Sequence, residues 1–297
     1  MEKGKGHPNA AGLLLLIALA GGSSACSRDY ALNAYNAAAN VRVDESQNIA
    51  SLTEVIRSNP NDAGALNMRG TAFGLAGNLK AALADFTAAI RLDPAFHQAH
   101  SNRGLVHLKL GEPQAAEEDF SRALRLAPDY APAHIGRGNA RRLNKQYALA
   151  LADYDRAIEM TAAEPQAFYN RGLVYQAQGR HDRALADFTS AINLNPGSAN
   201  PYHGRALSQV ALNRIDKAMA DLDRALEIDP RFAEAWATRG ALLERSGELQ
   251  HARTAYRRAL QADPQNAMAG SGTERIERQI PGLAVTRIAG RNNQSLN

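Results

Sequence analysis

Thirty-four residues separate Pro60 from Pro94 and Pro94 from Pro128, and the same grid carries Pro196, Pro230 and Pro264, with Ala162 in the vacant slot. Gly70, Gly104, Gly138, Gly172 and Gly240 lie on one grid of that spacing, completed by Ala206. Ala82, Ala116, Ala150, Ala184, Ala218 and Ala252 form another row, and Ala89, Ala123, Ala157, Ala191, Ala225 and Ala259 a third. Between the alanine rows runs a large apolar row, Phe86, Phe120, Tyr154, Phe188, Leu222 and Tyr256. A fixed period of this length means one supersecondary unit repeated in series, each copy presenting the same small and large contacts to the next.

The pattern resembles the tetratricopeptide repeat (TPR) family over residues 63–266, as six consecutive units at 63–96, 97–130, 131–164, 165–198, 199–232 and 233–266. The resemblance implies an all-α fold, a right-handed α-solenoid of six helix-turn-helix units with partial capping helices at both ends. The glycine row falls at the eighth position of each first helix, where a small residue lets the second helix approach. The large row fills the hollows that the small residues leave. Gly77, Gly111, Gly179, Asn213 and Gly247 occupy the turn inside the unit and tolerate a left-handed helix C-terminus. Proline closes the second helix because it has no N–H to donate.

The seventh position is arginine in every unit, at Arg69, Arg103, Arg137, Arg171, Arg205 and Arg239. Asp85, Asp119, Asp153, Asp187 and Asp221 follow the first five at a spacing of 16. Folding a helical hairpin about its turn brings these positions together, so an arginine–aspartate ladder inside the stack is expected. A displayed arginine row for phosphate or nucleic acid leaves the matched aspartates unexplained. Ala255 stands where the sixth acid would be, so Arg239 is free or paired elsewhere.

The ends differ. Residues 44–62 match the second helix of an incomplete repeat, a capping helix or half repeat, with Asp44 or Ser46 at its start. Residues 28–43 are rich in alanine and asparagine and fit either a tether or a degenerate first helix. Beyond the repeats, a C-terminal capping helix is expected over 267–280, although Gly270 and Gly272 disfavour it. Residues 281–297 contain no acid and read as a flexible basic tail.

The opening segment sets the compartment. Ala10 to Gly22 offers about 13 apolar or small residues, roughly 20 Å of helix, against about 30 Å of bilayer core. Lys3 and Lys5 precede it and small residues follow, the layout of a secretory signal over residues 1–25. Ser23-Ser24-Ala25-Cys26 resembles the bacterial lipobox, which implies cleavage before Cys26 and acylation of its thiol, although Ser23 stands where the box prefers leucine. Cys26 is the single cysteine, and acylation would remove an unpaired thiol from an oxidising compartment. Ser27 follows it rather than the aspartate that marks inner-membrane retention in enteric-type lipoproteins. The expectation is a lipid-anchored protein of the bacterial cell envelope, at the outer membrane facing the periplasm rather than at the inner membrane.

Charge and chemistry exclude more than they suggest. The formal charge is +4, and without residues 1–25, which hold Lys3, Lys5 and Glu2, 32 basic and 29 acidic residues leave +3. No basic run marks a nucleic-acid face. There is no phosphate-cradling glycine loop and no paired-cysteine box. His97, His100 and His107 share a helix, but His100 and His134 hold the fourth repeat position and His107 the eleventh, where the family places packing aromatics. Packing is therefore expected, with no metal, no cofactor and no catalytic residue.

What remains is a surface. The resemblance implies that first helices line a concave groove, whose floor here includes Gln98, Asn102, Leu105, Ile135, Asn139, Arg142, Gln166, Tyr169, Asn170, Leu173 and His203. Amides both donate and accept, which suits a peptide backbone, and the aliphatic residues suit its side chains. The basic residues of the family's chaperone-binding clamp are missing: Ile135, Asn200 and Gly204 stand in their places. The expected function is a non-catalytic scaffold that docks a protein or peptide, in cell-envelope, secretion or pilus assembly. A permanent structural subunit is the alternative, and a metal-binding or enzymatic repeat protein a more distant one.

Overall fold

The computed structural model of the chain describes residues 45–279, so the signal segment, Cys26, residues 26–43 and the tail at 281–297 lie outside the described residues. Within these bounds are fourteen α-helices and no strand. α1 (Glu45–Ser58) precedes six pairs: α2 (Ala63–Leu75) with α3 (Leu79–Leu92), α4 (His97–Leu110) with α5 (Pro113–Leu126), and α6 (Ala131–Leu143) with α7 (Tyr147–Met160). The series continues with α8 (Pro165–Ala177) and α9 (His181–Leu194), α10 (Ala199–Ala211) and α11 (Ile215–Ile228), and α12 (Ala233–Arg245) and α13 (Leu249–Ala262). α14 (Ala267–Gln279) follows the last pair.

Each pair turns on one residue with a left-handed backbone. Gly77, Gly111, Gly179 and Gly247 have φ between 70° and 85°, and Asn213 has φ 58°. Lys145 takes the same slot in the third unit with φ 58°, although its side chain carries the Cβ penalty that glycine escapes. The next residue then donates back across the last helical turn, as Glu112 N to His107 O (2.9 Å) and Arg214 N to Gln209 O (2.8 Å). These bonds satisfy carbonyls that the helix end would otherwise leave open. Helix starts are fixed by Asp62, whose carboxylate accepts from Ala65 N at 2.8 Å, and by Asn78, which accepts from Ala81 N. Pro113 and Pro165 occupy first-turn positions where no N–H is needed.

Helices in a pair pack along their length, and each second helix then packs on the first helix of the next pair. The six residues of each alanine row are fully buried, and no member of the large apolar row is more than 2% exposed. Every second large residue is clamped by glycines from both sides. A Cβ on Gly104, in the same unit, would stand 3.0 Å from the Phe120 ring; one on Gly136, in the next unit, would stand 2.3 Å from it. Phe188 lies between Gly172 and Gly204, and Tyr256 between Gly240 and Gly272, in the same manner. The second glycine of each clamp falls at the sixth position of alternate units. Gly272 thus serves α14 rather than opposing it, because Tyr256 occupies the space that its side chain would take.

Candidate peptide-binding groove

The first helices are held at fixed orientation by the arginine ladder, which positions everything on their outer face. Arg69, Arg103, Arg137, Arg171 and Arg205 each pair with the aspartate sixteen residues later, at 2.6–2.7 Å. The aspartates are almost fully buried and the arginines mostly so. Hydrogen bonding to the aspartate raises the Arg69, Arg103, Arg171 and Arg205 pKa values, outweighing burial. Burial works against the charge of Asp153, but His134, Arg137 and Arg141 outweigh it and hold this carboxyl below the ordinary range.

The ladder also reaches backwards. Arg69 Nη1 lies 3.3 Å from Thr53 Oγ1 in α1, Arg103 reaches Thr87, Arg171 reaches Asp155 and Arg205 reaches Thr189, each sixteen residues earlier. Arg239, without a sixth acid ahead of it, pairs backwards with Asp223 at 2.9 Å. One guanidinium therefore ties two consecutive second helices to the first helix between them, a task for which its planar fork is suited.

The histidines have a structural task too. His100 Nε2 lies 3.2 Å from the Pro94 carbonyl and His134 Nε2 3.0 Å from that of Pro128. Tyr202 and Trp236, at the same repeat position, donate to the Pro196 and Pro230 carbonyls. His97 packs edge-on against Tyr130, and His107 Nδ1 lies 2.7 Å from Glu112. His100 Nδ1 and His107 Nε2 also both lie 3.7 Å from the Asp119 carboxylate, the acid of the Arg103 ion pair, whereas His97 is turned to Tyr130. No group of three or more side chains arranged to hold a metal occurs among the described residues.

The groove residues sort by depth. Gln98, Leu105, Gln166, Leu173 and His203 are half-buried, whereas Asn102, Ile135, Asn139, Tyr169 and Asn170 are buried at 5–9% exposure. Asn102 donates to Asn67 at 3.0 Å, so this amide is engaged within the stack. Ile135 packs on Ala157 and Ala167, and Tyr169 on Phe188. Asn139 Oδ1 accepts from the Tyr154 hydroxyl at 2.7 Å, which leaves its amide nitrogen to donate elsewhere. Asn170 makes no side-chain hydrogen bond among the described residues, at only 5% exposure. Arg142, one turn along α6 from Asn139, lies against the Tyr154 hydroxyl and has its buried Nε without an acceptor. Between α2 and α4 the missing side chain of Gly74 leaves a cavity of about 30 Å³, lined by Thr71, Leu75, Phe86, Asn102, Leu105, Val106 and Lys109.

His203 behaves as part of the packing. Its Nε2 lies 3.1 Å from Thr238 Oγ1 and its ring meets Phe232 edge-on at 5.0 Å. Burial lowers its pKa to about 4, so the imidazole is neutral at pH 7.

Tetratricopeptide repeat family models match residues 49–95, 68–131 and 203–267 and, in the middle of the chain, 138–179 and 165–198. The chain belongs to the tetratricopeptide repeat family. No curated protein matches it. The TPR fold is shared with the crystal structure of the APC/C hetero-tetramer Cut9–Hcn1 (TM-score 0.72, 16% identity), covering 78% of this chain and 46% of that one. The chain thus spans about half the length of that structure. A tetratricopeptide repeat protein from Parabacteroides merdae is similar at TM-score 0.64 and 20% identity, over 84% of this chain and 99% of the other. Pseudomonas aeruginosa pilF follows at 0.62 and 18%, over 70% and 95%. TPR proteins are protein-interaction scaffolds that bind protein or peptide partners, and this chain has that scaffold's fold.

Proposed function

We propose that the TPR stack is a non-catalytic adaptor whose groove, between α6 and α8 above all, holds an extended segment of a partner protein. The observation that carries this reading is the pairing of buried amides with open valences. Among the described residues Asn170 has no side-chain hydrogen-bond partner, and Asn139 has one amide end free. These amide ends are not sealed from solvent, so they lie at the groove surface where a bound backbone can exchange their water for its own N–H and C=O groups. Asn139 is positioned to donate to a carbonyl of the segment, Asn170 to donate and accept, and Arg142 to meet an acidic side chain. Leu173 and the half-buried Leu105 give its apolar side chains a place to lie.

Export and anchoring complete the proposal. Residues 1–25 direct the chain out of the cytosol, Cys26 is acylated, and the stack works at the bacterial envelope, with the outer membrane favoured. An anchored scaffold raises the effective concentration of its partners, which serves cell-envelope, secretion or pilus assembly without a chemical step. Cys26→Ser should shift the protein from the membrane fraction to the soluble one; unchanged fractionation and mass would remove the anchor from the account. Asn139→Ala with Asn170→Ala should weaken recovery of cross-linked partners while leaving helicity intact. Recovery equal to wild type would remove the groove.

A further inference from the structure

Gly74 is the one glycine at its position among the six repeats; the others carry Leu108, Arg142, Gln176, Val210 and Glu244 there. Neither packing nor backbone calls for glycine. A Cβ on Gly74 would meet Ala82 at 3.9 Å and Val106 at 4.0 Å, which is ordinary contact, whereas one on Gly70, a turn earlier, would stand 2.8 Å from the Phe86 ring. Gly74 lies within α2, and glycine inside a helix costs about 1 kcal/mol relative to alanine. What it leaves in return is the cavity of about 30 Å³ between α2 and α4, walled almost wholly by carbon of Leu75, Phe86, Leu105 and Val106. That space suits one water or one methyl group, and such walls give water few polar partners.

We infer that this cavity receives the tip of a branched aliphatic side chain from the partner segment, and that an acidic residue next to it in the segment meets Lys109. The inference rests on the groove reading above and adds a chemical signature for the partner: an extended stretch with valine, isoleucine or leucine beside aspartate or glutamate. Charge sets the second half of that signature. Lys109 Nζ donates to the Gly74 carbonyl at 3.3 Å, which places an ammonium at the cavity, and no acid lines it. Size sets the first half, since a methyl group fits the space and an aromatic ring does not. Met68, one turn before Thr71 on the same face of α2, is 54% exposed and gives the segment a flexible apolar surface to lie on. The first helices α2, α4, α6 and α8 touch in succession, so the cavity belongs to the same row of helices as Asn139 and Asn170. One extended segment can therefore be anchored at Gly74 and bonded at the amides.

The probe is a library of random peptides displayed on phage and selected on the full chain, with enriched sequences then titrated as synthetic peptides. Enriched peptides should share an aliphatic residue beside an acid. Gly74→Ala, whose methyl fills the cavity, should weaken them about fourfold or more, the worth of one buried methyl group, with a thermal midpoint at or above that of wild type. Lys109→Gln should weaken the acidic peptides and leave their amide counterparts unchanged. Enriched peptides without the aliphatic–acid pair, or no enrichment at all, overturn the inference. So does unchanged affinity with Gly74→Ala, or a lowered midpoint, which would mean that the space is already filled. Peptides that lose affinity with Asn139→Ala and Asn170→Ala but not with Gly74→Ala leave the groove standing and remove the cavity. Loss with Gly74→Ala alone keeps the cavity and removes the two amides from the account.

Discussion

Arg171 and Asp187 meet in a two-pronged ion pair, Nε at 2.9 Å and Nη2 at 2.7 Å, while the third arm of the same guanidinium holds Asp155 of the preceding second helix at 2.7 Å. A buried pair of this kind is costly to break on one side and cheap to replace on both, because the orphaned charge carries the penalty. Asp187→Ala should therefore lower stability by about 3 kcal/mol, near the bottom of the range for buried pairs because Arg171 keeps some solvent contact. Arg171→Met with Asp187→Leu should cost less than the single change. Urea melts of the three proteins measure both, and a double variant worse than Asp187→Ala contradicts the account.

Two glycines should respond in opposite directions. Gly136→Ala pushes a methyl to within 2.3 Å of the Phe120 ring, and overpacking of that kind costs about 1–3 kcal/mol. Gly270, also helical, has nothing within 4 Å of its would-be Cβ, so Gly270→Ala should gain up to about 1 kcal/mol of helix propensity. Equal effects in thermal denaturation would show that the clamp on the ring is loose.

Lys145 holds the third turn in a left-handed conformation that glycine holds in four others. Lys145→Gly should raise stability by about 1 kcal/mol, the penalty that an L side chain carries there. A loss of stability would mean that the lysine side chain compensates for its backbone.

His203 supplies a pH dependence. Its folded pKa, lowered by burial to about 4, lies below the unfolded value of about 6.5. The unfolded chain therefore binds the extra proton first, and stability from this group is complete above pH 6.5 and lost as pH falls towards 4. Denaturant midpoints of wild type and His203→Gln between pH 7 and pH 4 should converge or cross as the pH drops. Parallel profiles would show that His203 is not held neutral.

The parts of the fold written in the sequence are those carried by strict period. Small residues at fixed spacing announced the hairpins, and the spacing of arginine and aspartate announced the ladder. The backward arm was written there as well, in Thr53, Thr87, Asp155, Thr189 and Asp223, but as residues of mixed type that share only an acceptor oxygen. Gly136, Gly204 and Gly272 escaped because their period is two units, and Lys145 because a lysine does not advertise a left-handed backbone. The groove was legible as a set of positions and not as a set of valences. That Asn102 is engaged by Asn67 while Asn170 is open depends on neighbours thirty or more residues away.

The adaptor reading is tested most directly by photo-crosslinking in the native cell. A photoreactive amino acid is placed at Gln166, half-buried in the groove, and in a second protein at Arg224, exposed on a second helix. Adducts to a protein partner at residue 166 and none at 224 are the predicted result. Adducts at 224 alone, with 166 silent, would contradict it.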